Sequence, residues 1–503
     1  MSTDSASPDS LLSVIIHHLP VIQIVLPLLG APLIVLAGRK AAWFLGTLFA
    51  SGALAVALGL LSLASGGTPL VYELGGWSAP VGIVYSVDVL AGLMLTIVSG
   101  VGAVVMLYSR LSVQDEIPED RHHYFYAMLL LCMSGLMGIC ITGDAFNVFV
   151  FLEISSLSAY ALIAMGRSPR ALVASYRYLV MGTIGGTFVL LGIGMLYMMT
   201  GTLNIADLAN RIPVVADKTT VRAAFAFMTV GSLVKLALFP LHFWLPNAYT
   251  FAPSVVSAFL SATATKVSFY VLVRVIFTIF GISLIAQTLQ MYNLLLLLSL
   301  IAIVMGSLVA IFQHNVKRLL AYSSLAQIGY FVLGLALHNQ SALTGSLIHL
   351  FNHALMKGGL FMVVGCMVYR VGGSRLEDLA GIGKRMPLTT LAFVVGGVGM
   401  IGVPLTAGFV SKWFLVLGAL DAGLWWVAGI VLFASLLAVV YIWRIIEVAY
   451  FREPVDDTNI EAPLGMLIPT WVMIGASVVF GIWTGPMLHI ASKAAATLLG
   501  GLQ

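Results

Sequence analysis

Apolar stretches of bilayer-spanning length follow one another almost without interruption from residue 19 to residue 489. About twenty such residues cross a hydrocarbon core as a helix. The spans read as 19–38, 43–65, 85–108, 124–142, 144–166, 174–200, 222–247, 253–282, 291–312, 319–338, 342–369, 387–418, 424–448 and 464–489. This predicts an all-α polytopic membrane protein with about fourteen transmembrane helices. Charge agrees: 9% of the 503 residues are charged and 60% are hydrophobic, whereas a soluble domain is about a quarter charged. So few charges cannot cover a water-facing surface, which excludes a soluble enzyme, a nucleic-acid binder and a disordered scaffold. The three cysteines, Cys132, Cys140 and Cys366, form no CxxC spacing, so no disulfide framework, metal centre or other cofactor is expected.

The longest polar stretches are Ser109–His123, Thr202–Thr220 and Arg452–Pro463, too short for a soluble domain. The first 18 residues carry no Lys or Arg and so lack the charged start of a signal peptide. An even number of spans places both termini on one side. One set of alternate loops carries fifteen of the 24 Lys and Arg residues, the other set four, and five fall inside spans. Basic loops face the cytoplasm, so both termini are expected on the non-cytoplasmic side.

Two spans carry breaks. Leu238-Phe239-Pro240 interrupts span seven, and Gly402-Val403-Pro404 interrupts span twelve. Proline frees backbone groups that must then face protein or water. Breaks five spans apart suggest two structural repeats with a transport path between them, although Pro and Gly are in any case commoner in membrane helices.

Charge inside a span costs about 2.5–3.5 kcal/mol on insertion scales. Glu153, Lys235, Lys266, His349, His353, Lys357 and Lys412 all stand within apolar stretches. Burial disfavours an ammonium and a nearby carboxylate favours it. At 4 Å and an effective dielectric near 20, one carboxylate contributes about 4 kcal/mol. Making and breaking a Glu153–Lys235 pair therefore loads and unloads a proton; the alternative is a static bridge that fixes packing. His349, His353 and Lys357 recur at every fourth residue, within about 80° of one helix face. Imidazoles relay protons near neutral pH, and the HxxxH spacing lacks a third zinc ligand. His242 is a relay or a satisfied polar group at the break. Arg274 is expected to snorkel, Asp88 to cap a helix at the interface, and Asp144 or Asp88 is a further candidate as a cation ligand.

Several stretches resemble one family. Gly143-Asp144-Ala145-Phe146-Asn147-Val148-Phe149-Val150-Phe151-Leu152-Glu153 resembles the fifth-helix motif of antiporter-like membrane subunits. Leu236-Ala237-Leu238-Phe239-Pro240-Leu241-His242-Phe243-Trp244 is similar to their broken seventh helix, and Ala407-Gly408-Phe409-Val410-Ser411-Lys412 to their twelfth. Val316-Lys317-Arg318-Leu319-Leu320-Ala321-Tyr322-Ser323-Ser324 and His349-Leu350-Phe351-Asn352-His353-Ala354-Leu355-Met356-Lys357 are highly specific to the same group. These subunits occur in respiratory complex I, membrane-bound hydrogenases and Mrp-type multisubunit cation/proton antiporters. Gly75–Ile83 and Tyr197–Leu208 are most similar to the Mrp D type.

The resemblance implies two inverted five-helix repeats, spans 4–8 and 9–13, within a division into 1–123, 124–282, 291–451 and 464–503. It implies a proton path over Glu153, Lys235, Lys266, His349, His353, Lys357 and Lys412, with His242, Asp144 and Arg177 as accessory residues. Asn247-Ala248-Tyr249 departs from many relatives, Arg177 stands where some have lysine, and Lys412 where one complex I subunit has Glu. The implied activity is proton translocation within a Na+/H+ antiporter of the bacterial cytoplasmic membrane, without covalent chemistry. The implied partners are membrane subunits of the A, B, C, E, F and G types, together with protons, Na+ and lipid. A redox-driven proton pump is the alternative; a lone solute transporter and a purely structural subunit are further rivals.

Overall fold

With no water in a bilayer core, each apolar stretch must satisfy its own N–H and C=O groups, and it does so as an α-helix. The computed structural model describes residues 8–282, 284–285, 291–454 and 458–500; the extreme ends of the chain, where the expected termini lie, fall outside them. The helices are α1 (Pro8–Ala37), α2 (Arg39–Ala64), α3 (Val89–Glu116), α4 (His122–Ile141), α5 (Ala145–Ala164) and α6 (Pro169–Thr200). Then come α7 (Ile205–Val215), α8 (Thr219–Leu236), α9 (Leu245–Phe251), α10 (Ser254–Val273), α11 (Met291–Ile311) and α12 (Val316–Ala336). The chain closes with α13 (Gln340–Val371), α14 (Pro387–Ile401), α15 (Ala407–Asp421), α16 (Trp425–Phe451), α17 (Leu464–Ile482) and α18 (Gly485–Leu499).

Among the described residues, twelve helices are individually long and apolar enough to cross a membrane. The other two crossings are each assembled from two shorter helices, α8 with α9 and α14 with α15, at the two predicted breaks. Span fourteen is shorter than expected. Its helix stops at Ile482, and α18 starts afresh at Gly485 with Pro486 in its first turn. The buried positions of α18 are Met487, Ala491, Ala494, Ala495 and Leu498, one stripe of an amphipathic helix. The polar stretch 202–220 likewise holds the amphipathic α7, whose Leu208 and Ile212 face inward. Asn204 caps α7 by accepting from the Asp207 amide at 3.1 Å. The Arg211 guanidinium, hydrogen-bonded to Asp207 at 2.9 Å, holds that carboxyl below its usual range.

Among the described residues the fold is helical but for one hairpin. Strands β1 (Leu70–Glu73) and β2 (Val84–Val87) form an antiparallel hairpin between α2 and α3. Span three therefore starts later than residue 85: Val84–Val87 is extended, and α3 begins after Asp88, whose carboxylate accepts from the Ala91 amide at 2.8 Å. Asp88 is thus the helix cap that its position suggested.

Loop contacts separate the two faces. On the face bearing the hairpin, called outer here, bridges join Tyr85 to Thr142 and Asp144 to Asn204, and Lys493 reaches the Ser65 carbonyl at 2.6 Å. On the inner face, Arg39 pairs with Glu119 and Arg167 with Asp115, each at 3.3 Å, and a bridge joins Asn315 to Arg375. Each contact joins loops of the same parity, as fourteen crossings in the predicted register require. Five crossings from α4 to α10 return the chain to the opposite face, so the next five, α11 to α16, repeat the arrangement upside down. The axis between the repeats is the deepest part: 94% of the apolar window of α12 is buried, against 28% for the peripheral α2.

Candidate functional site

In the first repeat, Glu153 and Ser156 lie three residues apart on α5, one above the other on the same face. Lys235 sits in the last turn of α8, where exposed carbonyls favour a cation. Its Nζ donates to Ser156 Oγ at 2.8 Å and lies 3.5 Å from Glu153 Oε1. The Lys235 side chain is 4% exposed and that of Glu153 is 26% exposed. Helix α6 makes room for the pair: a Cβ on Gly186 would stand 2.3 Å from Glu153 Oε1. The α8 helix ends because Ala237 takes a left-handed backbone, φ 60°, and closes on the Leu233 and Val234 carbonyls. Trp244 reinforces the break by donating to the Val234 carbonyl at 3.0 Å while stacking on Tyr178 with centroids 4.0 Å apart.

Lys266 on α10 is fully buried and donates to the Ser261 carbonyl of its own helix. It is close enough to His349, His353 and Lys357 to act on each electrostatically. Those three are also fully buried on α13. The rings of His349 and His353 stack with centroids 5.6 Å apart. His349 is held at both nitrogens, by Ser411 Oγ at 2.8 Å and Gln327 Oε1 at 2.9 Å. The Gln327 oxygen accepts, so Nε2 is the donor there, and Nδ1 meets a hydroxyl that itself donates to the Gly408 carbonyl at 3.1 Å. Neither nitrogen of His353 has a hydrogen-bond partner among the described residues. Lys357 donates to the Leu320 carbonyl at 2.7 Å and to Ser323 Oγ.

Lys412 closes the row in the second repeat. The Gly402 turn, φ +87°, ends α14 and leaves its last carbonyls open. Lys412 Nζ takes two of them, Met400 at 3.1 Å and Ile401 at 2.8 Å, and donates to Ser435 Oγ at 3.0 Å. The Tyr330 ring lies 5.2 Å from the ammonium. Gly408 lets the half-helices approach, since a Cβ there would stand 1.9 Å from the Gly399 carbonyl oxygen.

The structure therefore brings Glu153 and Lys235 together, and Lys266 together with His349, His353 and Lys357, while the Tyr330 ring lies beside both Lys412 and His349. The accessory residues lie apart. Asp144 caps α5, accepting from the Asn147 amide at 2.7 Å. Arg177 is exposed on α6 and does not join the row. His242 is buried at the first break between Phe239 and Phe243, with centroids 5.1 and 4.9 Å away. Arg274 does not snorkel: it pairs with Asp88 at 2.6 Å, with the Tyr270 ring 4.8 Å from its guanidinium.

Sequence reasoning missed the hydroxyl and amide partners Ser156, Ser323, Gln327, Ser411 and Ser435. All but Ser435 sit within a turn of a titratable residue or of each other, a signal that was available. Lys317, counted with the loops, is buried and donates to Ser254 Oγ at 2.9 Å. Beside Lys235, a cavity of about 20 Å³ is lined by Ser155, Ser156, Lys235 and Ser268, room for a single water. Among the described residues, no three His, Cys, Asp or Glu side chains are grouped to hold a metal ion.

Residues 142–438 match the family described as "NADH:quinone oxidoreductase/Mrp antiporter, TM". The chain belongs to this family. One relative, NADH-quinone oxidoreductase subunit N of Desulforudis audaxviator (strain MP104C), is 43% identical over 485 residues, covering 93% of this chain and 96% of its own. The D-type subunit of the Na(+)/H(+) antiporter of Bacillus subtilis (strain 168) is 30% identical over 429 residues, 85% of this chain and 86% of its own. A chain of the Mrp complex from Dietzia sp. DQ12-45-1b superposes with a TM-score of 0.89 at 25% identity, covering 97% of this chain and 98% of that one. The matched region starts at the outer loop before α5 and ends in α16, so it contains every residue of the buried row. The chain is a multi-pass membrane subunit of the antiporter-like type, and its Mrp neighbour works within a multisubunit assembly.

Proposed function

We propose that this chain is the proton-translocating subunit of a multisubunit Na+/H+ antiporter, of the Mrp D kind. Protons pass along Glu153, Lys235, Lys266, His353, Lys357, His349 and Lys412. The observation that carries this reading is the absence of acids from the central stretch. Lys266, His349, His353 and Lys357 are fully buried, and among the described residues none is in an ion pair. A packing device would pair such groups, because an unpaired buried charge is costly. Groups that change protonation sit instead among neutral partners: carbonyls, hydroxyls and an amide hold Lys266, His349 and Lys357 here, while His353 stands without a hydrogen-bond partner among the described residues. Carriers on both sides of the axis make α4–α10 and α11–α16 the working halves, with α1–α3 and α17–α18 as supports.

Carbonyl acceptors suit a charged lysine, and Ser156, Ser323 and Ser435 each donate as well as accept, so each hands on a proton without net movement of the backbone. Glu153, whose side chain is 26% exposed, is the member of the row that in this reading exchanges with a neighbouring subunit. The basic inner loops support a bacterial cytoplasmic membrane with both termini outside. In this reading the A, B, C, E, F and G types of subunit are the partners and the chain makes no covalent bonds. Lys235→Ala or Lys412→Ala should abolish cation-driven proton movement in inverted vesicles while the complex still purifies intact; full transport by an assembled variant would overturn the assignment.

A second reading is supported by the relative at 43% identity, whose name places it in an NADH-quinone oxidoreductase. There the same row serves a redox-driven pump. Purification of the complex decides: flavin and iron–sulfur subunits beside this chain favour the pump, and their absence with intact Na+/H+ exchange favours the antiporter.

A further inference from the structure

Between the hairpin, α7 and the outer end of α10 lies a cavity of about 280 Å³. Its mouth includes Pro69, Val71 and Ala79, which are exposed, and its floor includes Asp88, Arg274 and Thr142. The walls are mostly aliphatic. The Asp88 and Arg274 side chains keep 21% and 16% of their exposure, so the buried-level ion pair is open to whatever fills the cavity. The α10 helix changes at this level to a π-helical turn, Arg274–Phe280, which supplies Arg274, Val275, Thr278 and Ile279 to the wall. Such turns widen a helix and occur mostly at functional sites.

The cavity stands directly above the first titratable pair. Its wall residue Val148 is five residues outward of Glu153 on α5, about 7 Å of helix rise, and Met228 is seven outward of Lys235 on α8, about 10 Å. Ile139 lines this cavity and also the small one that holds Lys235, Ser155 and Ser156. Ile139 is 1% exposed, so it is the partition between them. We propose that these two cavities form an outer access route for water and hydronium to Lys235, closed at Ile139 and braced by the Asp88–Arg274 pair. Resting on the proton-carrier reading of Lys235, it gives the first repeat its own connection to the outer face. The pair braces the closed form by tying the start of α3 to the π-turn of α10. Movement of either widens the floor around Ile139.

Cys132, which lines the small cavity, is a native reporter. The experiment uses the assembled complex in right-side-out and inverted vesicles, with Cys140 and Cys366 replaced by Ala. The probes are Ag+ and a membrane-impermeant cationic methanethiosulfonate. Ser86→Cys, in the outer cavity, should react with the methanethiosulfonate from the outer face only. Cys132 should react slowly with Ag+ from the outer face. Ile139→Ala should speed that reaction by about tenfold or more, because thiol reactivity follows access, and Ile139→Phe should stop it. Asp88→Asn, which keeps a cap on α3 but frees Arg274, should also speed it. Reaction of Cys132 from the inner face alone, or a rate indifferent to residue 139 and to Asp88, would overturn the route. If Ile139→Ala fails to assemble, Ile139→Val and Asp88→Asn carry the same test. Labelling does not depend on transport: an active Lys235→Ala variant with the predicted labelling would remove the carrier and leave the route standing.

Discussion

Gly186→Ala is the most exacting substitution in the first repeat. A Cβ there meets Glu153 Oε1 at 2.3 Å, with Glu153 Cδ at 3.4 Å and Lys235 Cε at 3.7 Å next. Only a flexible carboxylate is in the way, and alanine is the better helix former by up to ~1 kcal/mol, so α6 should fold and the complex assemble. Ordinary contact requires the carboxylate to retreat by about 1 Å. Retreat from Lys235 takes the 3.5 Å separation to about 4.5 Å. At an effective dielectric near 20, the attraction falls from about 5 to about 4 kcal/mol. A loss of ~1 kcal/mol is about fivefold in the population of the charged pair. Initial rates of cation-driven proton uptake in inverted vesicles should therefore fall by about fivefold. A cycle with Glu153→Gln isolates the cause, since that variant keeps the bulk and removes the charge. Gly186→Ala should cost little in the Glu153→Gln background. An equal loss in both backgrounds, or none in the native one, would refute the pairing argument.

His353→Leu should separate stability from function: removing an imidazole with no partner should leave the complex as heat-stable as before, or more stable by up to ~1–3 kcal/mol, while proton movement is lost. Gln327→Leu should leave Lys412 in place but cut transport by about tenfold or more by freeing the His349 ring, whereas Gln327→Glu, which keeps an acceptor, should retain part of it. Gly408→Ala should fail at the level of structure, since its Cβ meets the Gly399 carbonyl oxygen at 1.9 Å; reduced yield of assembled complex is the measurement. Ser435→Ala, which removes one of three acceptors from Lys412, should slow transport with no change in assembly.

The crossings and both breaks were legible because their signals are strong and local: long apolar runs, and proline or glycine within them. Parity was legible because Lys and Arg are few and unevenly divided. The β1–β2 hairpin was not, since four alternating residues, Leu70-Val71-Tyr72-Glu73, are too short to rise above an apolar background. The stop at Ile482 was hidden for the opposite reason, because Trp483 and the residues of α18 continue the apolar run while the backbone turns. Among site residues, charge in an apolar span marked the buried row. Their partners were silent, as serine is common in membrane helices and only the fold sets Ser156 against Lys235 or Ser435 against Lys412. Arg274 was misread because distance from the span centre was weighed without knowing that Asp88 faces it. Lys317 was misread because its motif begins a helix, which looks like a loop edge until Ser254 of α10 is packed over it.

The most direct test of a continuous path across both repeats is proton transport by the assembled complex carrying Lys266→Met, reconstituted in proteoliposomes and followed with a pH-sensitive dye. Lys266 is fully buried between the halves, and methionine nearly matches its volume without its charge. The account predicts a complex that assembles normally and moves no protons. Transport at the native rate would show that the two halves do not communicate through this residue and would contradict it.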